Sequence, residues 1–245
     1  MGHRINIVCY LTSLALAYWL TDYFVPVAIV CTLLFMLVLT LGVMNISFNY
    51  FLVSIHKNDT AACTLTFDDG PHPEFTPVVL DILQRHKVKA VFFLIGNTAK
   101  QYPGLVHRIL AEGHRIGNHS FSHSKWLPCF STAKLRADLR ECQNVLETIS
   151  GKEVPLFRPP FGITNPNYSR ALKALNLQSM GWSLRTFDTV TKDADQLYRK
   201  ITSRVRQGDI ILLHDTQRVT AEFLDPFITY CQQNGMFFDL PAQQP

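Results

Sequence analysis

From Ile5 to Met44 almost every residue is apolar or small, and Asp22 is the only acidic one. The charged residues instead crowd into the part after Lys57. A helix needs ~20 apolar residues to cross the hydrocarbon core of a bilayer. The stretch Ile5 to Leu20 is marginally short for that, Phe24 to Met44 is long enough, and Thr21-Asp22-Tyr23 is the polar break between them. The expected organisation is therefore an N-terminal transmembrane helical hairpin over residues 1–45, a linker over 46–60 and a soluble domain over 61–241. A secretory signal peptide is the competing explanation, but its apolar core runs to only ~7–15 residues, and no small-residue cleavage site stands out here.

If both stretches cross, the soluble domain returns to the side of the N-terminus. Arg4 precedes the first stretch, Lys57 follows the second, and the connecting tripeptide has no positive charge. The positive-inside rule then leans towards the cytoplasmic face of the plasma membrane, with membrane lipid as the partner of the N-terminal helices.

The net charge of the 245-residue chain is only +4, with no Lys/Arg run and no basic stripe interleaved with aromatics, which excludes nucleic acid as a partner. Cys9 and Cys31 lie in the apolar stretch, while Cys63, Cys129, Cys142 and Cys231 are scattered without a CxxC pair. Neither a zinc knuckle nor a disulfide framework is indicated, and buried free thiols are expected.

Beyond Asn58, short runs rich in β-branched and aromatic residues alternate with amphipathic stretches, as in a series of βα units. The expected strands are Ala62 to Phe67, Ala90 to Ile95, Arg115 to Asn118, Leu156 to Arg158, Gln178 to Ser183, Asp209 to Leu213 and Met236 to Leu240. A helix is expected over Ser131 to Ile149, where Leu135, Leu139, Cys142, Leu146 and Ile149 recur at helical spacing. About seven parallel strands suit a distorted (β/α) TIM-like barrel, whose strand ends gather on one face.

The unusual polar residues follow those strands. Asp68-Asp69-Gly70 alone could be a turn. His119 and His123 have i,i+4 spacing, which places two imidazoles on one side of a helical turn and suits a divalent metal, although such pairs are often incidental. Arg158 before two prolines and His214 before Asp215 also have plain structural explanations. Together they match one reaction: amide hydrolysis needs a Lewis acid, a base for water, a donor for the oxyanion and an acid for the leaving amine.

The segments TFDDG, NHSFSH, RPPFG, GWSLRTFD and LLHD, in this order, strongly resemble the polysaccharide deacetylase family, carbohydrate esterase family 4, over residues 62 to 240. The resemblance implies Asp69, His119 and His123 as ligands of a divalent metal, zinc in the first place, and Asp68 as the general base. It implies His214 as the acid, oriented by Asp188, and Arg158 as the residue that fixes the base carboxylate. Substrate contacts are implied for Pro160, Phe161, Trp182 and Leu212, with the Phe161 N–H serving the oxyanion. The implied activity is removal of N-acetyl groups from GlcNAc-like sugars in a glycan, an oligosaccharide or a lipid-linked precursor, by hydrolysis of a carbon–nitrogen bond that is not a peptide bond. An O-acetyl polysaccharide esterase and a catalytically silent, membrane-bound glycan-binding domain are the alternatives.

Two departures from the family pattern stand out. Where the fourth motif commonly reads Asp-x-x-Asp-Trp, this chain has Arg185-Thr186-Phe187-Asp188-Thr189, so the first Asp and the Trp are missing. Trp182 or Phe187 is the candidate replacement for that aromatic platform. His72, His86, His107 and His114 match no role and are expected to be packing or surface residues.

Overall fold

The computed structural model describes residues 2–241. Its centre is a set of parallel strands covered on both faces. Strand β2 (Thr64–Asp68) and strand β3 (Ala90–Leu94) are buried at every position. Strands covered on both sides read as continuous apolar runs, and here helices provide the cover. The remaining strands are β1 (Ser54–Ile55), β4 (Arg115–Asn118), β5 (Leu156–Phe157), β6 (Gln178–Met180), β7 (Leu184–Arg185) and β8 (Ile210–His214).

These eight form one sheet in the order β1-β6-β5-β4-β3-β2-β8-β7, with every pairing between neighbours parallel. From β2 to β6 the order follows the chain, as in a βα barrel; β8 then returns on the far side of β2. Only Gly181 to Ser183 separate β6, which lies next to the edge strand β1, from β7 at the opposite edge. Gly181 N–H donates to Ile55 O at 2.7 Å and Ser183 N–H to Ile210 O at 3.0 Å, so one chain segment joins both edges of a distorted TIM-like barrel.

The outer helices are α3 (Phe75–His86), α4 (Gly96–Gln101), α5 (Pro103–Ala111), α6 (Thr132–Ser150), α7 (Pro166–Leu175), α8 (Ala194–Thr202) and α9 (Arg218–Gln233). Helix α6 forms where its periodicity predicts. The Ser131 side chain caps it by accepting from Lys134 N–H at 3.4 Å, and Gly151 ends it in the left-handed region. Its Leu135, Leu139, Cys142 and Leu146 face inward and are buried. Between the sheet and the outer helices, Phe67 stacks on Phe92 with centroids 5.0 Å apart. Burying each such side chain contributes roughly 1.5–3 kcal/mol. Cys63, Cys142 and Cys231 are buried free thiols, whereas Cys129 is exposed. Burial pushes the Cys231 thiol up to about 12.

Three expectations change. The expected strand Gln178 to Ser183 ends at Met180, and a separate strand begins at Leu184; position 181 is glycine because a Cβ there would lie 2.8 Å from Ile46 Cγ2. Strand β5 stops before Arg158, since Pro159 and Pro160 have no N–H to continue the ladder. The segment Met236 to Leu240 makes only a single parallel bridge, Cys63 to Phe238, and forms no strand.

The N-terminal stretch folds as α1 (Gly2–Leu20) and α2 (Phe24–Met44), packed antiparallel. The Tyr10 and Thr32 hydroxyls meet at 3.0 Å, and the Tyr10 ring stacks on Phe35 at 4.8 Å. Among the described residues only α2, with a mean hydropathy of 2.7, is long and apolar enough by itself to cross a membrane.

Residues 46–60, expected as a linker, instead dock the helices on the barrel. Ile46 is buried against Gly181, Thr164 N–H donates to Val43 O at 3.1 Å, and β1 adds to the sheet beside β6. Tyr50 is clamped by the helix ends: Asn6 Nδ2 donates to its hydroxyl at 2.8 Å, and Gly42 lies so close that any Cβ would strike the ring. Thr164 follows β5 and Gly181 follows β6, so the attachment lies at the C-terminal ends of the strands.

Candidate active site

The site begins where β2 runs out. Thr66 and Asp68 share the inward face by the two-residue period of a strand, and Asp68 is buried. Asp69 then takes a left-handed backbone with φ 70°. Gly70 must be glycine, because a Cβ there would lie 2.4 Å from the Asp215 carboxylate. Asp215 is itself fully buried, accepts from Thr76 Oγ1 at 2.5 Å, and is pushed by burial up to about 7. This turn lifts the Asp69 carboxylate over the strand end.

His119 and His123 come to meet it, but not from a helical turn. Ser120 and His123 both have positive φ, and Asn118 and Asp138 capture the loop N–H groups of Ser120, Phe121 and Ser122. The two imidazoles are thus brought together by a loop, not by the helical turn that their spacing suggested. His119 Nδ1 donates to Arg158 O at 2.9 Å, which turns its Nε2 towards Asp69 Oδ1 at 3.3 Å. His123 Nε2 lies 3.1 Å from the same oxygen.

Among the described residues, Asp69, His119 and His123 are the cluster able to hold a metal, with ligand atoms within 4.8 Å of one another. Burial opposes ionisation of Asp69, but hydrogen bonds and charge from the two histidines hold its carboxyl well below the usual range. One carboxylate oxygen and two imidazole nitrogens suit zinc or another divalent ion and leave coordination positions open.

Arg158 is completely buried and each of its three guanidinium nitrogens donates. It donates to Asp68 Oδ1 at 2.8 Å, Thr66 Oγ1 at 2.7 Å, Met180 O at 3.0 Å and Gly181 O at 2.7 Å, with its flat face on Phe93. At the end of β8, His214 Nδ1 donates to Asp188 Oδ1 at 2.8 Å; Asp188 Oδ2 also accepts from His214 N–H and Thr220 Oγ1. Burial disfavours the imidazolium, but the Asp188 hydrogen bond and charge, helped by Asp68 and Asp69, raise His214 to about 9. It is therefore protonated at neutral pH.

These groups surround a cavity of about 240 Å³ whose wall includes Asp68, Asp69, His119, His123, His214 and Leu212. Phe161 and Trp182 complete it as expected, with Phe161 held at φ 63° and its ring 4.9 Å from His123. Pro160, expected to touch substrate, is buried outside the lining, because the turn after Pro159 presents Phe161 and Gly162 in its place. Arg158 and Asp188 stand behind the wall. Phe187 is also outside the lining, so of the two candidate platforms only Trp182 faces the cavity.

Sequence reasoning did not anticipate Arg185 and Thr189 in the wall, nor Thr66, Thr220 and Asp215 behind it. Thr66 carried a signal, as the polar residue two before Asp68 on the same strand face, and so did Asp215, as the last residue of LLHD. The remaining histidines pack or pair: His72 stacks on Phe75, His86 lies 2.9 Å from Asp225, and buried His114 is lowered to about 4 by burial. His107 is exposed.

The parallel barrel thus carries a carboxylate and two imidazoles at its strand ends, flanked by an Arg-braced Asp and an Asp-braced His. The family model described as polysaccharide deacetylase matches residues 56–180. A peptidoglycan-N-acetylglucosamine deacetylase of Bacillus cereus is 35% identical over 187 residues, covering 74% of this chain and 68% of that protein. The chain belongs to the polysaccharide deacetylase family. The peptidoglycan-N-acetylglucosamine deacetylase PgdA of Listeria monocytogenes is 37% identical over 174 residues, 71% of this chain, and the matched region spans only 36% of that longer protein. A CE4 family pseudoenzyme from Bacillus anthracis superposes with a TM-score of 0.71 at 26% identity, covering 76% of this chain and 66% of that one.

His119→Ala or His123→Ala is expected to lose the bound divalent ion while keeping the fold, because two ligands hold such an ion poorly. Elemental analysis of purified protein together with circular dichroism checks this; normal metal content in either variant places the metal elsewhere.

Proposed function

We propose that this chain is a metal-dependent N-deacetylase of GlcNAc-like sugars, tethered to a membrane by α1 and α2. The observation that carries the proposal is the placing of Asp68 and His214 on either side of the Asp69, His119 and His123 cluster in one cavity. A bound divalent ion, zinc in the first place, would polarise the acetyl oxygen and acidify water. The chain's own residues do the rest. Asp68, held by Arg158, takes the proton from water. The Phe161 backbone N–H is the donor assigned to the developing oxyanion. His214, kept protonated by Asp188, delivers its Nε2 proton to the departing amine, and Trp182 and Leu212 shape the wall on which the sugar rests.

An O-acetyl esterase would use the same groups, since both reactions pass through a tetrahedral oxyanion. The names of the relatives favour the N-acetyl substrate. The fold alone does not guarantee turnover, as the pseudoenzyme neighbour demonstrates. The complete set of base, acid and ligand residues supports an active enzyme.

The membrane proposal rests on the exposed apolar surface of both helices, including Leu11, Leu33 and Leu37. A pair of crossings would put the barrel on the side of the N-terminus, for which the charge pattern favours the cytoplasm.

The test is acetate release by the full-length, metal-loaded protein from an N-acetylated chitooligosaccharide and from O-acetylated xylan. Turnover of the first is expected, turnover of xylan alone would favour the esterase, and neither would count against enzymatic function. Asp68→Asn and His214→Ala should keep metal yet lose kcat by about 10²-fold or more. In Asp188→Asn the His214 pKa falls back towards its ordinary value, so the alkaline limb of the rate profile should move to lower pH; an unmoved limb would remove Asp188 from this role.

A further inference from the structure

One positive charge in the cavity wall has no counter-charge. Arg185 lies on β7, in register with Leu212 of β8, and both side chains line the cavity. Its guanidinium sits 5.8 Å from the Trp182 ring centroid and 4.9 Å from that of Phe187, which holds it between two aromatic rings. Lys200 places its Nζ over the same Phe187 ring at 4.6 Å and otherwise reaches only Thr186 O, at 3.5 Å. Phe187 is at φ 64°, a region that bulky residues rarely occupy, so local backbone cost is spent on bringing this ring under two cations.

Among the described residues no carboxylate forms an ion pair with Arg185 or Lys200. The nearby acids are already committed: Asp68 to Arg158, Asp69 to His119 and His123, and Asp188 to His214. Like charges gathered on one ring repel, and an anion placed beside them relieves that repulsion. Arginine matches phosphate and carboxylate with paired N–H donors.

The second observation is the position of the N-terminal helices. They attach through Val43 to Thr164 and through Ile46 to Gly181, one or two residues from the cavity-lining Gly162 and Trp182. The cavity mouth and the membrane anchor therefore share one end of the barrel.

We propose that Arg185, supported by Lys200, recognises an anionic group carried next to the N-acetylated sugar, and that the docked anchor makes a lipid-borne phosphate its source. This rests on the deacetylase function proposed above and narrows its substrate class.

The test compares kcat/KM for acetate release by the full chain in detergent on three substrates: a neutral chitooligosaccharide, N-acetylglucosamine 1-phosphate, and N-acetylglucosamine linked through phosphate to a polyprenol. In Arg185→Ala the ratio of phosphorylated to neutral kcat/KM should fall by about tenfold or more, the scale of a lost charged hydrogen bond, and Arg185→Lys should restore part of it. An unchanged ratio overturns the subsite. Wild-type preference for the lipid-linked over the soluble phosphate supports the membrane source, and equal use of the two overturns that source. If no substrate releases acetate, the deacetylase function falls, and the subsite is judged separately by calorimetric binding of inorganic phosphate to chelator-treated full chain. Binding weakened about tenfold in Arg185→Ala supports the subsite, and equal binding overturns it.

Discussion

The arrangement depends on burying a guanidinium. Arg158 has no exposed surface, and stripping a charge of water costs several kcal/mol unless it is paired and hydrogen-bonded. Asp68 neutralises it, and Thr66, Met180 and Gly181 accept three more of its N–H groups. Those partners lie on β2, on β6 and just beyond β6, while Arg158 itself follows β5. One side chain thus braces three strand ends, and Asp68 keeps a single orientation because moving it would leave a buried charge unpaired.

The metal cluster hangs from the same residue. The Arg158 carbonyl accepts from His119 and sets that ring's direction, so base and ligand are aligned by the two ends of one amino acid. The other half of the site is built independently, with Asp188 gripping both the backbone and the ring of His214. Much of the local cost gathers here: Asp69, Ser120, His123, Phe161 and Phe187 all have positive φ. Strain of this kind persists only where surrounding structure enforces it.

The legibility of these features in the sequence follows physical scale. Central strands β3 and β8 could be read because strands covered on both faces are continuous apolar runs. Strands β1 and β7 could not, since two residues carry no periodicity, and β1 in addition pairs with a partner far along the chain. The docking role of residues 46–60 was hidden for the same reason: Ile46 and Tyr50 are ordinary apolar residues until Gly181 and Gly42 make room for them. Asp68, Asp69, His119, His123, Arg158 and His214 were conspicuous as polar groups directly after apolar strands. The loop from His119 to His123 was misjudged as helical because Asn118 and Asp138, by bonding its N–H groups, outcompete the helix. Arg185 gave no signal, since lacking a counter-charge is a property of three-dimensional neighbours.

The central claim is that Arg158 makes Asp68 a fixed base without itself holding the metal. Arg158→Lys in the full-length protein tests it most directly, with bound metal and acetate release measured on the same preparation. Lysine keeps the charge but loses the planar fork that reaches Asp68, Thr66 and two carbonyls at once. The account predicts wild-type metal content with kcat lower by about 10²-fold. Wild-type kcat at full metal content would contradict it.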